Sequence, residues 1–102
     1  MSRSVRARID LYQTDSGGLA LPLGSRTRSL LFGFVGSDGV PMTIGGEVRS
    51  ALGDLKPGAV GLQVVIDFWA EEASRLVRPS TEFTIWYNRT VGRGEVLEIV
   101  SD

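Results

Sequence analysis

Four arginines have the clearest potential for binding chemistry in this chain: Arg26, Arg28, Arg89 and Arg93. A guanidinium group suits phosphate because its planar set of N–H donors can contact two oxygens at once, which an ammonium group cannot do. If the fold brings the two pairs together, we expect them to form a site for a phosphate backbone or a partner protein. The alternative interpretation is that all four are solvated charges at the surface.

The tryptophans Trp69 and Trp86 are a second candidate. In an extended chain, alternate residues point to opposite faces. Trp86 is out of phase with Phe83 and Ile85, and Trp69 is out of phase with Phe68, so both rings are expected on an external face. Large aromatic side chains dominate many protein interfaces, so this phase predicts an interaction patch that self-association could bury. In the alternative interpretation, the two rings plug the interior or cover its open end.

Other chemistries find little support in the composition. The chain has no cysteine and no histidine, which excludes disulfides, Cys/His zinc sites and catalytic triads with an imidazole base. Its carboxylates are scattered among turns and outer strand positions, and its glycines do not match a phosphate-binding loop. We therefore expect no catalytic residue, no metal site and no cofactor. An enzyme acting through carboxylates or arginines alone is the remaining catalytic alternative.

Length and charge limit the classes of protein further. The chain has 102 residues, 42% of them hydrophobic, and predicts one folded domain over residues 1–102. Its net charge is −1, whereas dedicated nucleic-acid binders usually have a strong basic excess. No apolar run reaches the roughly 18–20 residues that a membrane span needs. The polar N-terminus does not look like a signal peptide, so we expect no membrane association and a cytoplasmic protein.

Alternation of apolar and polar residues predicts a mainly β structure. Strands are expected at Val5–Leu11, Leu30–Val35, Val40–Ile44 and Val60–Phe68, with a closing hairpin over Glu82–Val100. Short strands at regular intervals, separated by glycine-rich turns, are typical of a barrel or a sandwich.

The connecting segments are less regular. Ser37-Asp38-Gly39 predicts a hairpin corner, and Gly45–Gly58 is expected to be a loop. Pro22 limits the short extended stretch Leu19–Leu23 to an edge or a loop. The stretch Ala70–Arg78 favours either one helical turn or an irregular connection, with Pro79 ending any helix.

The most specific motif of the chain is Arg89-Thr90-Val91-Gly92-Arg93-Gly94. It follows, in order, an acidic turn Asp15-Ser16-Gly17-Gly18, a basic loop Gly24–Ser29, and a turn Lys56-Pro57-Gly58-Ala59 before a long strand. From about Val5 to Val100, this order and spacing resemble the C-terminal (third) β-barrel domain of elongation factor Tu.

The resemblance implies an all-β fold, a six-stranded antiparallel closed barrel of the translation-factor type, without the GTPase domain or a GTP site. In that family, the loop matching Arg26 and the corner matching Arg89 contribute to surfaces for tRNA or partner proteins. The family's basic tRNA-facing strand is replaced here by the apolar Leu19–Leu23, so tRNA binding carries over only in part.

The function that the resemblance implies is a non-catalytic module that docks to a protein or RNA partner of the translation apparatus. The alternative is a scaffold or self-associating interaction protein without a translational role.

Overall fold

The computed structural model describes residues 3–21, 23–24, 26–35, 39–50, 53–69 and 76–101, without the side chains of residues 26–29 and 101. Six antiparallel strands form a closed barrel in the order β1-β4-β3-β2-β5-β6, with β6 pairing back onto β1. This architecture confirms the predicted fold class. The strands are β1 (Arg3–Leu11), β2 (Arg26–Val35), β3 (Pro41–Arg49), β4 (Leu62–Phe68), β5 (Glu82–Trp86) and β6 (Thr90–Ser101), with a short 3-10 turn at Thr14–Ser16.

The barrel interior is filled by the phenylalanines of β2, β4 and β5. Phe32, Phe34, Phe68 and Phe83 are all buried, and neighbouring ring centroids lie 5.1–6.4 Å apart, mostly in edge-to-face contact. Such contacts stabilise a core beyond the area that the rings bury. The chain has 4 phenylalanines, so its whole complement is used here. Trp69 and Trp86 are nearly half exposed, so the alternative in which they plug the interior is wrong.

Two glycines of the 89–94 motif are required by this packing. A Cβ on Gly94 would lie 2.5 Å from Cζ of Phe83 and 2.8 Å from Cγ2 of Ile9. A Cβ on Gly92 would lie 2.6 Å from the backbone oxygen of Asp10. The most specific sequence signal of the chain thus has a structural explanation: β6 must approach β1 and β5 without side chains at these two positions.

The predicted loop over Gly45–Gly58 is wrong in its first part, because β3 continues to Arg49. Gly46 lies tightly against β4: a Cβ there would be 2.8 Å from the backbone oxygen of Asp67. The glycine pair therefore permits a close strand contact and does not form a turn. The strand predicted to begin at Val60 begins later, at Leu62, as β4. Gly61 has a φ of 69°, which is not an extended conformation, and Val60 is 79% exposed.

Some predicted connections fall outside the described residues: Pro22, most of the corner at 37–39, and residues 70–75 of the stretch with helical character. Within the described ranges, no helix is both long enough and apolar enough for a membrane span.

Candidate functional site

The structure places Arg89 and Arg93 at different sites. Arg93 lies on the outer face of β6, with its Nε 3.9 Å from Oδ2 of Asp10, its register partner on β1. Arg89 lies in the corner between β5 and β6 and lines a different cavity. Arg26 and Arg28 belong to β2, and their side chains lie outside the described part of the chain.

Ion pairs cover the outer face around β1, β4 and β6. The Nε of Arg6 lies 2.9 Å from Oε1 of Glu98, and Nη2 of Arg49 lies 3.1 Å from Asp67. We call this surface the charged half, and its members are Arg6, Arg8, Asp10, Arg49, Asp67, Arg93, Glu95 and Glu98. Because each arginine here has a carboxylate within 4 Å, the charged half offers little net positive potential to a phosphate backbone.

A shallow groove of about 580 Å³ crosses this charged half toward β2. Its lining includes Arg8 paired with Glu95 at 3.8 Å, and Arg93 paired with Asp10. Glu82 lies directly opposite Glu95 on the neighbouring strand. In the described ranges, no three candidate metal ligands come together.

The two tryptophans lie on one continuous row that crosses three strands and ends at the residue that follows β4. Trp86 on β5 is opposite Leu31 on β2, Leu31 is opposite Gly45 on β3, and the amide of Trp69 donates to the carbonyl of Gly45 at 3.2 Å. A Cβ on Gly45 would lie 3.5 Å from the Trp69 ring and 3.8 Å from Leu31 Cδ2, so both side chains close over this glycine. We call these four residues the aromatic row.

Three side chains of the aromatic row remain accessible. Trp69 is 47% exposed, Trp86 is 43% exposed and Leu31 is 37% exposed. The predicted position of both tryptophans on the outer face is thus what the structure shows. Their predicted interaction with a partner stays a prediction.

The aromatic row has uncharged residues on one side, and the carboxylates Glu47 on β3 and Asp67 on β4 on the other. The next outward positions on β5, β2 and β3 are Thr84, Gly33 and Thr43, followed by the exposed Val35. Together with the aromatic row they form what we call the uncharged face, with Glu82 on β5 and Arg93, the register partner of Thr84 on β6, at its margin. The glycines at positions 33 and 45 leave this face without side chains at two positions.

A second concave site is a cleft of about 340 Å³ between residues 18–23 and the corner at 87–91. One wall presents Leu19, Leu21 and Leu23, and the other presents Tyr87 and Arg89. We call it the apolar cleft. Among the residues that the structure describes, its lining contains one cationic side chain and no carboxylate, in contrast to the larger groove.

Sequence reasoning missed Leu31 and Gly45 as members of the site. The stretch Leu30–Val35 is almost continuously apolar, which obscured its alternation. The available signal was the phase of Leu31, which is opposite to that of the buried Phe32. The position of Leu31 between the two tryptophans depends on the register of the strands, which cannot be read from the sequence.

Comparison with known proteins adds no family assignment: no protein-family model matches this chain, and no curated protein matches it.

Proposed function

We propose that this protein is a non-catalytic binding module whose uncharged face docks a protein partner. The observation that supports this most is the aromatic row, in which two exposed tryptophans flank a leucine and a glycine on the outer surface of the barrel. Exposed apolar patches of this kind on a folded domain usually mark interaction sites. Tryptophan anchors at the centre of a patch typically provide a large share of the binding energy.

The charge distribution favours protein over RNA as the partner. Single-stranded RNA also stacks on aromatic rings, but such sites combine the rings with a cationic groove that follows the phosphates. The described positions of the uncharged face itself include no cation, and its margins carry mixed charges: Glu82 and Arg93 on one side, Glu47 and Asp67 on the other. Since Arg93 is paired with Asp10, the described residues form no continuous cationic groove here. A complementary partner surface would be apolar at its centre and uncharged around it.

The resemblance to the third domain of elongation factor Tu suggests where that partner belongs. By this analogy the module would dock to a protein of the translation apparatus and compete with the elongation factor for it. Fold alone does not determine function. We therefore use the analogy only to choose candidate partners, and we take the aromatic row as the surface that would bind them.

The proposal can be tested with purified ribosomes, elongation factor Tu and tRNA as probes. Leu31→Arg places a charge at the centre of the aromatic row, and Val60→Arg is the matched control at an apolar residue that is 79% exposed elsewhere. We expect a protein-containing probe to bind the wild type and Val60→Arg equally, and Leu31→Arg at least about tenfold more weakly.

Two outcomes would contradict this proposal. One is tRNA binding that weakens steeply with salt and is unaffected by Leu31→Arg, which would support the RNA alternative. The other is concentration-dependent self-association in sedimentation equilibrium that Leu31→Arg abolishes. That result would identify a second copy of the chain as the occupant of the uncharged face.

A further inference from the structure

We infer that the apolar cleft is a binding site for a peptide C-terminus that ends in apolar residues, with Arg89 receiving the terminal carboxylate. Nothing in this inference depends on the docking function of the uncharged face. The cleft volume of about 340 Å³ lies within the range of roughly 300–1,000 Å³ that is typical of small-ligand sites.

Both walls of the cleft are held by backbone hydrogen bonds. Leu23 and Leu55 exchange two bonds, of 2.9 and 2.7 Å, and the Thr14 hydroxyl donates to the carbonyl of Leu19 at 2.7 Å. On the other wall, the Tyr87 amide donates to the carbonyl of Arg89 at 2.8 Å. The cleft is therefore formed before any ligand arrives, which lowers the entropic cost of binding.

Arg89 differs from the arginines of the charged half. Arg6, Arg8, Arg49 and Arg93 each have a carboxylate within 4 Å, whereas Arg89 makes no ion pair with any residue that the structure describes. Its neighbours in the cleft are leucines and a tyrosine. A guanidinium group next to apolar surface favours an anionic ligand, and its planar set of donors suits a carboxylate.

The residues that line the apolar cleft indicate which class of anionic ligand would bind next to Arg89. A nucleic-acid backbone would require several cations along a path, and the described lining of this cleft offers one beside an apolar wall. That wall, with Leu21 75% exposed, fits a branched aliphatic side chain. Asn88 also lines the cleft, and its amide can both donate to and accept from a peptide group. An apolar body, a peptide group and a carboxylate occur together at the C-terminus of a peptide, a recurring recognition target.

The test is an amide NMR titration of the intact protein with acetyl-Gly-Leu-Leu carrying a free C-terminal carboxylate. The same peptide with a C-terminal amide, and 4-methylpentanoate, are the comparison ligands. We expect saturable shifts centred on Leu21, Asn88 and Arg89. The free acid should bind at least about tenfold more tightly than the amidated peptide, and also more tightly than 4-methylpentanoate.

Two variants test whether Arg89 recognises the terminal carboxylate of the peptide. Arg89→Gln is expected to remove the preference for the free acid over the amide. Arg93→Gln, the matched control in the charged half, is expected to retain it. Equal affinity for acid and amide, shifts centred on the uncharged face, or no saturation at millimolar peptide would each overturn the inference. Binding of 4-methylpentanoate as tight as that of the peptide would overturn the assignment to a peptide.

Discussion

At the residue scale, the most consequential finding is that both tryptophans lie outside the barrel while the phenylalanines fill it. An alternating strand has one inward and one outward phase, and Trp86 lies in the outward phase at the end of β5, next to the buried Ile85. This much was predictable from the sequence. The pairing of Arg93 with Asp10 was not, because these residues are distant in sequence and meet only through the register of β6 on β1.

The exposure of the tryptophans gives a direct spectroscopic prediction. In Trp69→Phe and Trp86→Phe, the single remaining tryptophan should be quenched by acrylamide in the native state, since each ring is nearly half exposed. The measurement is Stern–Volmer quenching of native and urea-unfolded protein. A native tryptophan that becomes accessible to the quencher only after unfolding would contradict its position on the outer face.

Gly94 provides a prediction for stability. Gly94→Ala would place a methyl group within 3 Å of Phe83 and Ile9, and overpacking of this kind typically costs about 1–3 kcal/mol. The control is Gly24→Ala, where no atom lies within 4 Å of a Cβ. Urea denaturation should show the loss of unfolding free energy in the first variant alone. Equal stability of the two variants would mean that β6 does not make this close approach.

At the scale of elements, the connection between β5 and β6 depends on Asn88. Its φ is 64°, a left-handed conformation that asparagine tolerates better than most residues other than glycine. Asn88→Ala should therefore lower the unfolding free energy by about 1 kcal/mol. Asn88→Gly should cost less, since glycine adopts this conformation without a steric penalty. Thermal and urea unfolding of the two variants measure the difference, and an alanine variant as stable as the glycine variant would contradict it.

The seam at which β6 pairs with β1 and closes the barrel allows a second prediction at this scale. Its ion pairs are solvent-exposed, and the Arg93 side chain is 72% exposed. Exposed ion pairs contribute roughly 0–1 kcal/mol, so Arg93→Gln should stay within about 0.5 kcal/mol of the wild type in urea denaturation. A loss of several times that amount would show that the seam depends on the ion pair more than on the burial of Val5, Ala7 and Ile9 beneath it.

The strands themselves were predictable to different degrees. β1 shows clear alternation over Arg3–Leu11, and its prediction was close to the observed span. The predicted strand at Val40–Ile44 ends before the observed end of β3, because Gly45-Gly46 is typical of a turn when considered alone. Tertiary context reversed that preference, since Gly46 permits the close approach of β4 and Gly45 lies under the Trp69 ring. Contacts between strands that are distant in sequence are not visible in local composition.

At the scale of the whole molecule, the outer surface has two parts of different chemistry. The charged half, around β1, β4 and β6 and including Arg49 at the end of β3, is neutralised by its own ion pairs. The uncharged face, over β5, β2 and β3, carries the aromatic row. Barrel closure was predicted from the strand pattern and the resemblance. The division into two parts was not, since it depends on the order of strands around the barrel, in which neighbours in space are often not neighbours in sequence.

The most direct test of the proposed docking surface is site-specific photo-crosslinking followed by an affinity measurement. A photoreactive phenylalanine replaces Trp86 in the aromatic row and, as the control, Gln63 on the outer face of β4. We expect position 86 to crosslink to one protein of the translation apparatus and position 63 not to do so. That crosslinked partner, once purified, should bind the Leu31→Arg variant at least about tenfold more weakly than the Val60→Arg variant. Equal crosslinking from both positions, or equal affinity of the two arginine variants, would contradict the assignment of the uncharged face as the binding surface.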